Sequence, residues 1–179
     1  ISIGEADENL GAIALGGMST GVTPVQLASA YTTFVNEGVR TEARFITKIV
    51  DATGAVIVDN TNPETNRVTT AAVAEEMTSM LMGVYADGGT GASAQPSNGM
   101  VIAGKTGTTE LDRETGYIKS QWMVGYTPDL VVATWLGYDE TNEAHNLNNA
   151  GKTMANLYSA EMGALLSISP QTEFAVAAA

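Results

Sequence analysis

One short segment carries the strongest structural signal in the sequence: Gly99-Met100-Val101-Ile102-Ala103-Gly104-Lys105-Thr106-Gly107-Thr108-Thr109. Its first part, residues 100–103, is apolar and suited to a β-strand. Its second part is rich in glycine and threonine around a single lysine, Lys105. We therefore predict an apolar strand that begins near Met100 and runs into the polar residues that follow Gly104.

The same segment matches a nucleotide-binding pattern. Residues 99–106 fit the P-loop pattern G-x-x-x-x-G-K-[ST], in which a glycine-rich loop between a strand and a helix binds phosphate groups. Here the preceding residues 90–98 have the composition of a loop, and residues 107–119 are polar and do not predict a helix. The pattern therefore lies in an unfavourable context, and a P-loop nucleotide-binding protein remains an alternative.

A second interpretation is the Lys-Thr-Gly element of serine enzymes that act through an acyl intermediate. That chemistry needs a strand edge that can pair with an extended peptide substrate. The ammonium group of Lys105 would attract a substrate carboxylate and support proton transfer. The hydroxyl of Thr106 can donate a hydrogen bond to the same carboxylate, and Gly107 lets the substrate approach the strand closely.

The flanking sequence predicts helices packed on an antiparallel sheet, an α+β fold without an interior domain linker. Residues 23–26 (Thr-Pro-Val-Gln) form a capping box with proline at the first helical position, and Gly38 ends that helix. A second helix begins after Thr69 or Thr70 and ends at Gly88-Gly89. Its apolar face is predicted to comprise Val73, Met77, Met80, Leu81 and Val84.

Further along the chain, alternating and apolar runs predict the remaining elements. Residues 45–51 and 55–59 predict a hairpin, residues 121–126 and 130–138 two more strands, and residues 152–166 a last helix. The predicted core residues of that helix are Met154, Leu157, Tyr158, Met162 and Leu165.

Composition excludes several classes of function. The 20 acidic and 8 basic residues give a net charge of -12, which argues against binding to nucleic acid or anionic lipid. There is no cysteine, and His145 is the only histidine and lacks neighbouring ligands, so we expect no metal and no cofactor. We expect Glu5, Asp7 and Glu8 to form a solvated acidic segment.

Several ordered segments resemble the transpeptidase domain of penicillin-binding proteins, most closely the bifunctional class A type. Upstream of the lysine they are Ala14-Leu15-Gly16-Gly17, Gly21-Val22-Thr23-Pro24-Val25-Gln26-Leu27-Ala28-Ser29-Ala30-Tyr31, Phe34-Val35-Asn36-Glu37-Gly38 and Gly89-Thr90-Gly91. From the lysine onward they are Ala103-Gly104-Lys105-Thr106-Gly107-Thr108-Thr109, Trp122-Met123-Val124-Gly125-Tyr126-Thr127-Pro128-Asp129-Leu130 and Ala133-Thr134-Trp135-Leu136-Gly137-Tyr138-Asp139.

The resemblance implies a serine β-lactamase and D,D-transpeptidase-like fold, to which this chain contributes three sheet strands and the last helix. It implies that Lys105 is catalytic, that Thr106, Gly107 and Thr108 bind substrate, and that the backbone N–H of Thr108 donates to the oxyanion. The Gly89-Thr90-Gly91 turn would lie near the rim of the cleft. The implied ligands are the D-Ala-D-Ala end of a peptidoglycan stem peptide and β-lactam antibiotics.

Two motifs of that family are missing. No S-x-x-K sequence, which would hold the nucleophile, and no S-x-N or Y-x-N sequence occurs in residues 1–179. We therefore expect this chain to be the C-terminal portion of a single transpeptidase domain, inactive alone and partnered by the N-terminal remainder of the same protein. The resemblance places that protein on the extracytoplasmic face of the bacterial cell membrane, anchored upstream of this chain. A non-catalytic structural module of the same fold is the remaining alternative.

Overall fold

The computed structural model describes residues 4–8, 11–112, 114–148 and 150–175. The helices are α1 Pro24–Val35, α2 Ala71–Met82 and α3 Gly151–Leu166, with short 3-10 turns at Glu5–Asp7, Gly11–Leu15 and Ala92–Ala94. The strands are β1 Val39–Thr41, β2 Lys48–Val50, β3 Val56–Asp59, β4 Thr65–Arg67, β5 Ala103–Glu110, β6 Ile118–Tyr126 and β7 Val131–Gly137. The described elements confirm the predicted α+β class.

The main sheet contains β5, β6 and β7 in that order, and both neighbouring pairs are antiparallel. Gly107 lies opposite Trp122, which in turn lies opposite Trp135. Because β6 is in the middle, β5 and β7 form the two edges of this sheet within the described part of the chain. The predicted antiparallel sheet is therefore confirmed, with the Lys-Thr-Gly strand at an edge.

Helices cover both faces of the sheet. Alternate residues of a strand point to opposite sides, and apolar side chains occur on both sides here. On one face, Met123 of β6 packs with Tyr158 and Met162 of α3. On the other face, Ala103 and Tyr126 pack with the side chains of α1 and α2. One apolar cluster therefore lies on each face of the sheet, and β5 contributes Ala103 to the second of them.

Helices α1 and α2 begin where the sequence predicts. The backbone N–H of Gln26 donates to the Thr23 hydroxyl, and the Gln26 side chain accepts from the Thr23 N–H at 2.9 Å, which completes the capping box. At α2, the backbone N–H of Val73 donates to the hydroxyl of Thr70. Local cap chemistry therefore fixes where each helix begins.

The predicted apolar face of α2 is partly wrong. Met80 is 57% exposed, whereas Met82, which was outside the predicted face, is 4% exposed. The buried stripe also includes Ala74 and Thr78, and the Thr78 hydroxyl bonds to the carbonyl of Ala74 and to the Tyr126 hydroxyl. Tertiary packing against Tyr126 therefore sets the rotation of the helix. In α3, Leu157 and Leu165 are similarly more exposed than predicted.

Two short sheets lie outside the main one. Strands β2 and β3 form the predicted hairpin, which is mostly exposed, and β1 pairs with β4, a pairing that the sequence did not indicate. The predicted acidic surface near the N-terminus is wrong for Asp7, which is buried and accepts hydrogen bonds from the N–H and hydroxyl of Ser19. Within the described ranges, no helix is long and apolar enough to span a membrane.

Candidate active site

The predicted site residues lie together on β5, at the edge of the main sheet. Lys105 and Thr108 are exposed, while Thr106 and Gly107 are half-buried. The Lys105 Nζ donates to the backbone carbonyl of Thr106 at 2.9 Å. An edge strand presents backbone N–H and C=O groups that no sheet neighbour uses, so an extended peptide can add to it.

This geometry contradicts the nucleotide-binding alternative. Residues 103–110 form one continuous strand, and Lys105 lies inside it. The chain then turns into the antiparallel strand β6. A P-loop needs a phosphate-binding loop that leads into a helix, with the lysine at the start of that helix. The segment therefore matches the P-loop sequence pattern but does not have the P-loop structure, and the P-loop hypothesis is wrong.

Different neighbouring atoms explain why glycine occupies positions 104 and 107 of β5. A side-chain carbon on Gly104 would lie 2.0 Å from the carbonyl oxygen of Val124, so no other residue fits there without separating the strands. At Gly107, the added carbon would lie 3.3 Å from the Cβ of Trp122, a tight contact that a small shift could relieve. Gly104 thus maintains the pairing of β5 with β6, and Gly107 leaves the surface beside Trp122 uncovered.

The Gly89-Thr90-Gly91 turn does reach the predicted site. The hydroxyl of Thr90 lies 2.9 Å from the hydroxyl of Thr106, and Thr90 is exposed. The sequence indicated only that this turn followed a helix and lay near a cleft. The pairing of these two hydroxyls, from residues 16 positions apart, depends on tertiary structure.

An open cleft of about 820 Å³ lies beside the far end of β5. Thr108, Trp122 and Trp135 line one side, and residues 15–24 line the other. The two indole rings are 6.4 Å apart and tilted by 59°. Among the predicted site residues, Thr108 lines this cleft and Lys105 does not. Thr106 and Gly107 do not line it either, so only the end of the strand, from Thr108 to Glu110, borders the cleft.

Three tyrosines in the sheet or packed against it, Tyr85, Tyr126 and Tyr158, are buried ionisable residues. Burial raises the pKa of Tyr126 to about 12, although a hydrogen bond with Thr78 acts in the opposite direction. The residues that the structure describes include no group of three or more histidines and carboxylates placed to hold a metal ion. The polar groups that the structure describes on this edge strand are the Lys105 ammonium, the threonine hydroxyls and the backbone of β5.

Comparison with known proteins gives a consistent result. The family described as "Penicillin binding protein transpeptidase domain" matches residues 3–162. Penicillin-binding protein 2a of Streptococcus pneumoniae is 41% identical over 180 residues, which cover 98% of this chain and 24% of that protein. Penicillin-binding protein 1F of Bacillus subtilis is 38% identical over 85% of this chain and 21% of its own length. The chain thus spans about a quarter of the length of these relatives.

Solved structures support the same fold. The PonA1 protein of Mycobacterium tuberculosis, in a structure described as a complex with penicillin V, superposes with a TM-score of 0.77 at 26% identity. The match covers 96% of this chain and 46% of that one. The three-stranded sheet and its helices therefore have a counterpart in a longer protein.

Proposed function

Because this chain belongs to the penicillin-binding protein transpeptidase domain family, we propose that it supplies the Lys-Thr-Gly strand of a D,D-transpeptidase that cross-links peptidoglycan. The observation that carries the proposal is the position of Lys105, Thr106 and Thr108 on the accessible edge strand β5. At this edge a stem peptide can align as an additional strand while its carboxylate lies near a cation and two hydroxyls.

Each residue of the strand has a proposed role. Lys105 attracts the terminal carboxylate of the substrate and assists proton transfer, and the hydroxyls of Thr106 and Thr108 donate hydrogen bonds to that carboxylate. The backbone N–H of Thr108 is one donor to the oxyanion that forms on the attacked carbonyl. Gly107 keeps the face beside Trp122 accessible to the substrate.

The proposed reaction is acyl transfer through a serine ester. The serine oxygen bonds to the carbonyl carbon of the penultimate D-Ala, the C–N bond to the terminal D-Ala breaks, and that D-Ala leaves as an amine carrying the serine proton. An amine of a neighbouring stem peptide then attacks the ester, which forms the cross-link and restores the serine hydroxyl. A β-lactam would acylate the same serine by opening its ring.

The serine itself must come from outside residues 1–179, which contain no S-x-x-K sequence. We propose that the chain is the C-terminal portion of the domain and that the nucleophile lies in the N-terminal remainder of the same protein. The low share of each relative that the chain covers supports this division. The site would then act on the extracytoplasmic face of the bacterial membrane, and the chain alone would be inactive.

A fluorescent penicillin tests this function directly. The native preparation is labelled, denatured, and separated so that the mass of every labelled polypeptide can be determined. Label on a serine within an S-x-x-K sequence, in a polypeptide that contains or accompanies this chain, would support the proposal. A preparation that contains S-x-x-K but takes up no label would contradict it. Absence of both label and S-x-x-K would instead favour a non-catalytic module of the same fold.

A further inference from the structure

We propose that Thr90 is a positioning residue that orients the carboxylate-binding hydroxyl of Thr106, an inference that rests on the proposed function. The hydroxyl oxygens of the two residues are 2.9 Å apart, which is hydrogen-bonding distance. Thr106 lies on β5 beside Lys105, whereas Thr90 belongs to the turn that follows α2. A residue outside the Lys-Thr-Gly strand therefore contacts the hydroxyl that would meet the substrate.

The backbone holds Thr90 in this position. The N–H of Gly91 donates to the carbonyl of Val84 at 2.8 Å. A side-chain carbon on Gly89 would lie 2.3 Å from that same carbonyl oxygen, and one on Gly91 would lie 3.0 Å from the ring of Tyr85. The turn therefore folds closely onto the end of α2, which leaves Thr90 as its one residue whose side chain projects to β5.

The direction of the hydrogen bonds explains how the contact between Thr90 and Thr106 would affect a bound carboxylate. A carboxylate only accepts hydrogen bonds, so Thr106 must donate its single hydroxyl proton when it binds one. The oxygen of Thr106 can then accept from Thr90, whose own proton is free to point to it. The resulting chain, from Thr90 to Thr106 to the carboxylate, fixes the rotamer of Thr106 and polarises its hydroxyl. Thr90 thus acts on the substrate through Thr106.

Two substitutions separate this role from a structural one. Thr90→Val removes the hydroxyl and keeps the branched shape, and Thr90→Ser keeps the hydroxyl. Both are made in the full-length protein that carries this sequence. Penicillin acylation is then resolved into the dissociation constant of the initial complex and the acylation rate constant. We expect Thr90→Val to raise the dissociation constant about 3- to 10-fold with little change in the rate constant, and Thr90→Ser to stay within about 2-fold of wild type.

The methyl ester of the same penicillin provides the readout that a structural defect would not reproduce. The ester lacks the negative charge that the hydroxyl chain recognises, so Thr90→Val should lower the preference for the acid over the ester. A general loss of structure would slow both compounds equally. Thr61→Val is the matched control, because Thr61 is exposed after the β2–β3 hairpin and its hydroxyl donates to Asp59 there.

The outcomes distinguish this inference from the proposed function. A wild-type protein that neither compound acylates would overturn the proposed function and the role of Thr90 with it. Normal wild-type acylation with an unchanged acid-to-ester preference in Thr90→Val would overturn the role of Thr90 alone. The same result follows if Thr90→Ser loses as much affinity as Thr90→Val, since the hydroxyl would then not be the group that matters.

Discussion

The phenol oxygen of Tyr158 occupies the space in which a side chain of Gly125 would lie. A carbon added at Gly125 would be 2.1 Å from that oxygen and 3.3 Å from the phenol oxygen of Tyr85. Gly125 is in the central strand β6, and Tyr158 is a fully buried residue of α3. This contact brings α3 against the middle of the sheet, directly beneath the residues that pair with β5.

Gly125→Ala should therefore destabilise the protein by overpacking. Neither the strand backbone nor the buried phenol can move without disturbing its neighbours, and we expect a loss of about 1–3 kcal/mol in the free energy of unfolding. Urea unfolding measures it. The control is Gly163→Ala in α3, where no atom apart from the neighbouring helix backbone lies within 4 Å of the added carbon. That change should be stabilising by about 0.5–1 kcal/mol, and equal effects at both positions would contradict the packing explanation.

Lys105→Ala tests the proposed catalytic lysine. Because Lys105 is exposed on an edge strand, we expect the variant to fold normally and its penicillin acylation rate constant to fall by about 10²- to 10⁴-fold. Stopped-flow or gel-based labelling of the full-length protein measures the rate. Lys48→Ala, which removes the same charge from the exposed strand β2, should acylate like wild type. Wild-type acylation by Lys105→Ala would remove this lysine from the mechanism.

Asp7 should contribute to stability in a pH-dependent manner. Hydrogen bonds from the N–H and hydroxyl of Ser19 hold the pKa of Asp7 below its ordinary value of 3.8, while burial acts in the opposite direction. A lowered pKa in the folded state stabilises the protein at pH values above 3.8, and this contribution is lost as the pH falls through the folded-state pKa.

The measurement is the urea midpoint between pH 7 and pH 2. Asp7→Asn should be less stable than wild type at pH 7 and should lose less stability on acidification. Glu8→Gln is the neighbouring control, because Glu8 is exposed, and it should follow the wild-type curve. Parallel curves for wild type and Asp7→Asn would show that the carboxylate does not act in this way.

Phe174 should attach the C-terminal segment to the core. Its ring packs edge-on against Tyr126 with centroids 5.8 Å apart, and Thr172 donates two hydrogen bonds of 2.9 Å to the carboxylate of Asp129. We expect Phe174→Ala to lower the free energy of unfolding by about 1–2 kcal/mol, as for a half-buried aromatic side chain. Ile168→Ala, at a residue that is 83% exposed, should have almost no effect.

Local sequence signals predicted the framework well. The capping box at Thr23, the hairpin around Ala52-Thr53-Gly54 and the strands on either side of Pro128 all form as expected. These elements depend on hydrogen bonds and turn preferences between residues close in sequence, which is why a single sequence indicates them. The apolar run before Lys105 likewise predicted β5, although the strand begins at Ala103 and not near Met100.

The features that the sequence did not indicate depend on contacts between residues that are far apart in the sequence. Strands β1 and β4 contain three residues each, too few for a clear alternation, and they pair across the intervening β2–β3 hairpin. The burial of Asp7 requires Ser19, and the position of Thr90 requires Thr106. The nucleophile motif of the proposed acyl-enzyme site does not occur in residues 1–179, so only the candidate strand could be compared with the structure. The roles of Lys105, Thr106, Gly107 and Thr108 therefore stay predictions.

The second edge of the sheet has a consequence for handling the protein. Strand β7 reads Val-Val-Ala-Thr-Trp-Leu-Gly, contains no charged residue, and pairs only with β6 among the residues described. When residues 1–179 are handled alone, an edge strand of this composition is a template for intermolecular β-pairing and aggregation. The net charge of -12 opposes such self-association through mutual repulsion. Colloidal stability should accordingly decline as salt screens that charge or as the pH approaches the isoelectric point near 4.2.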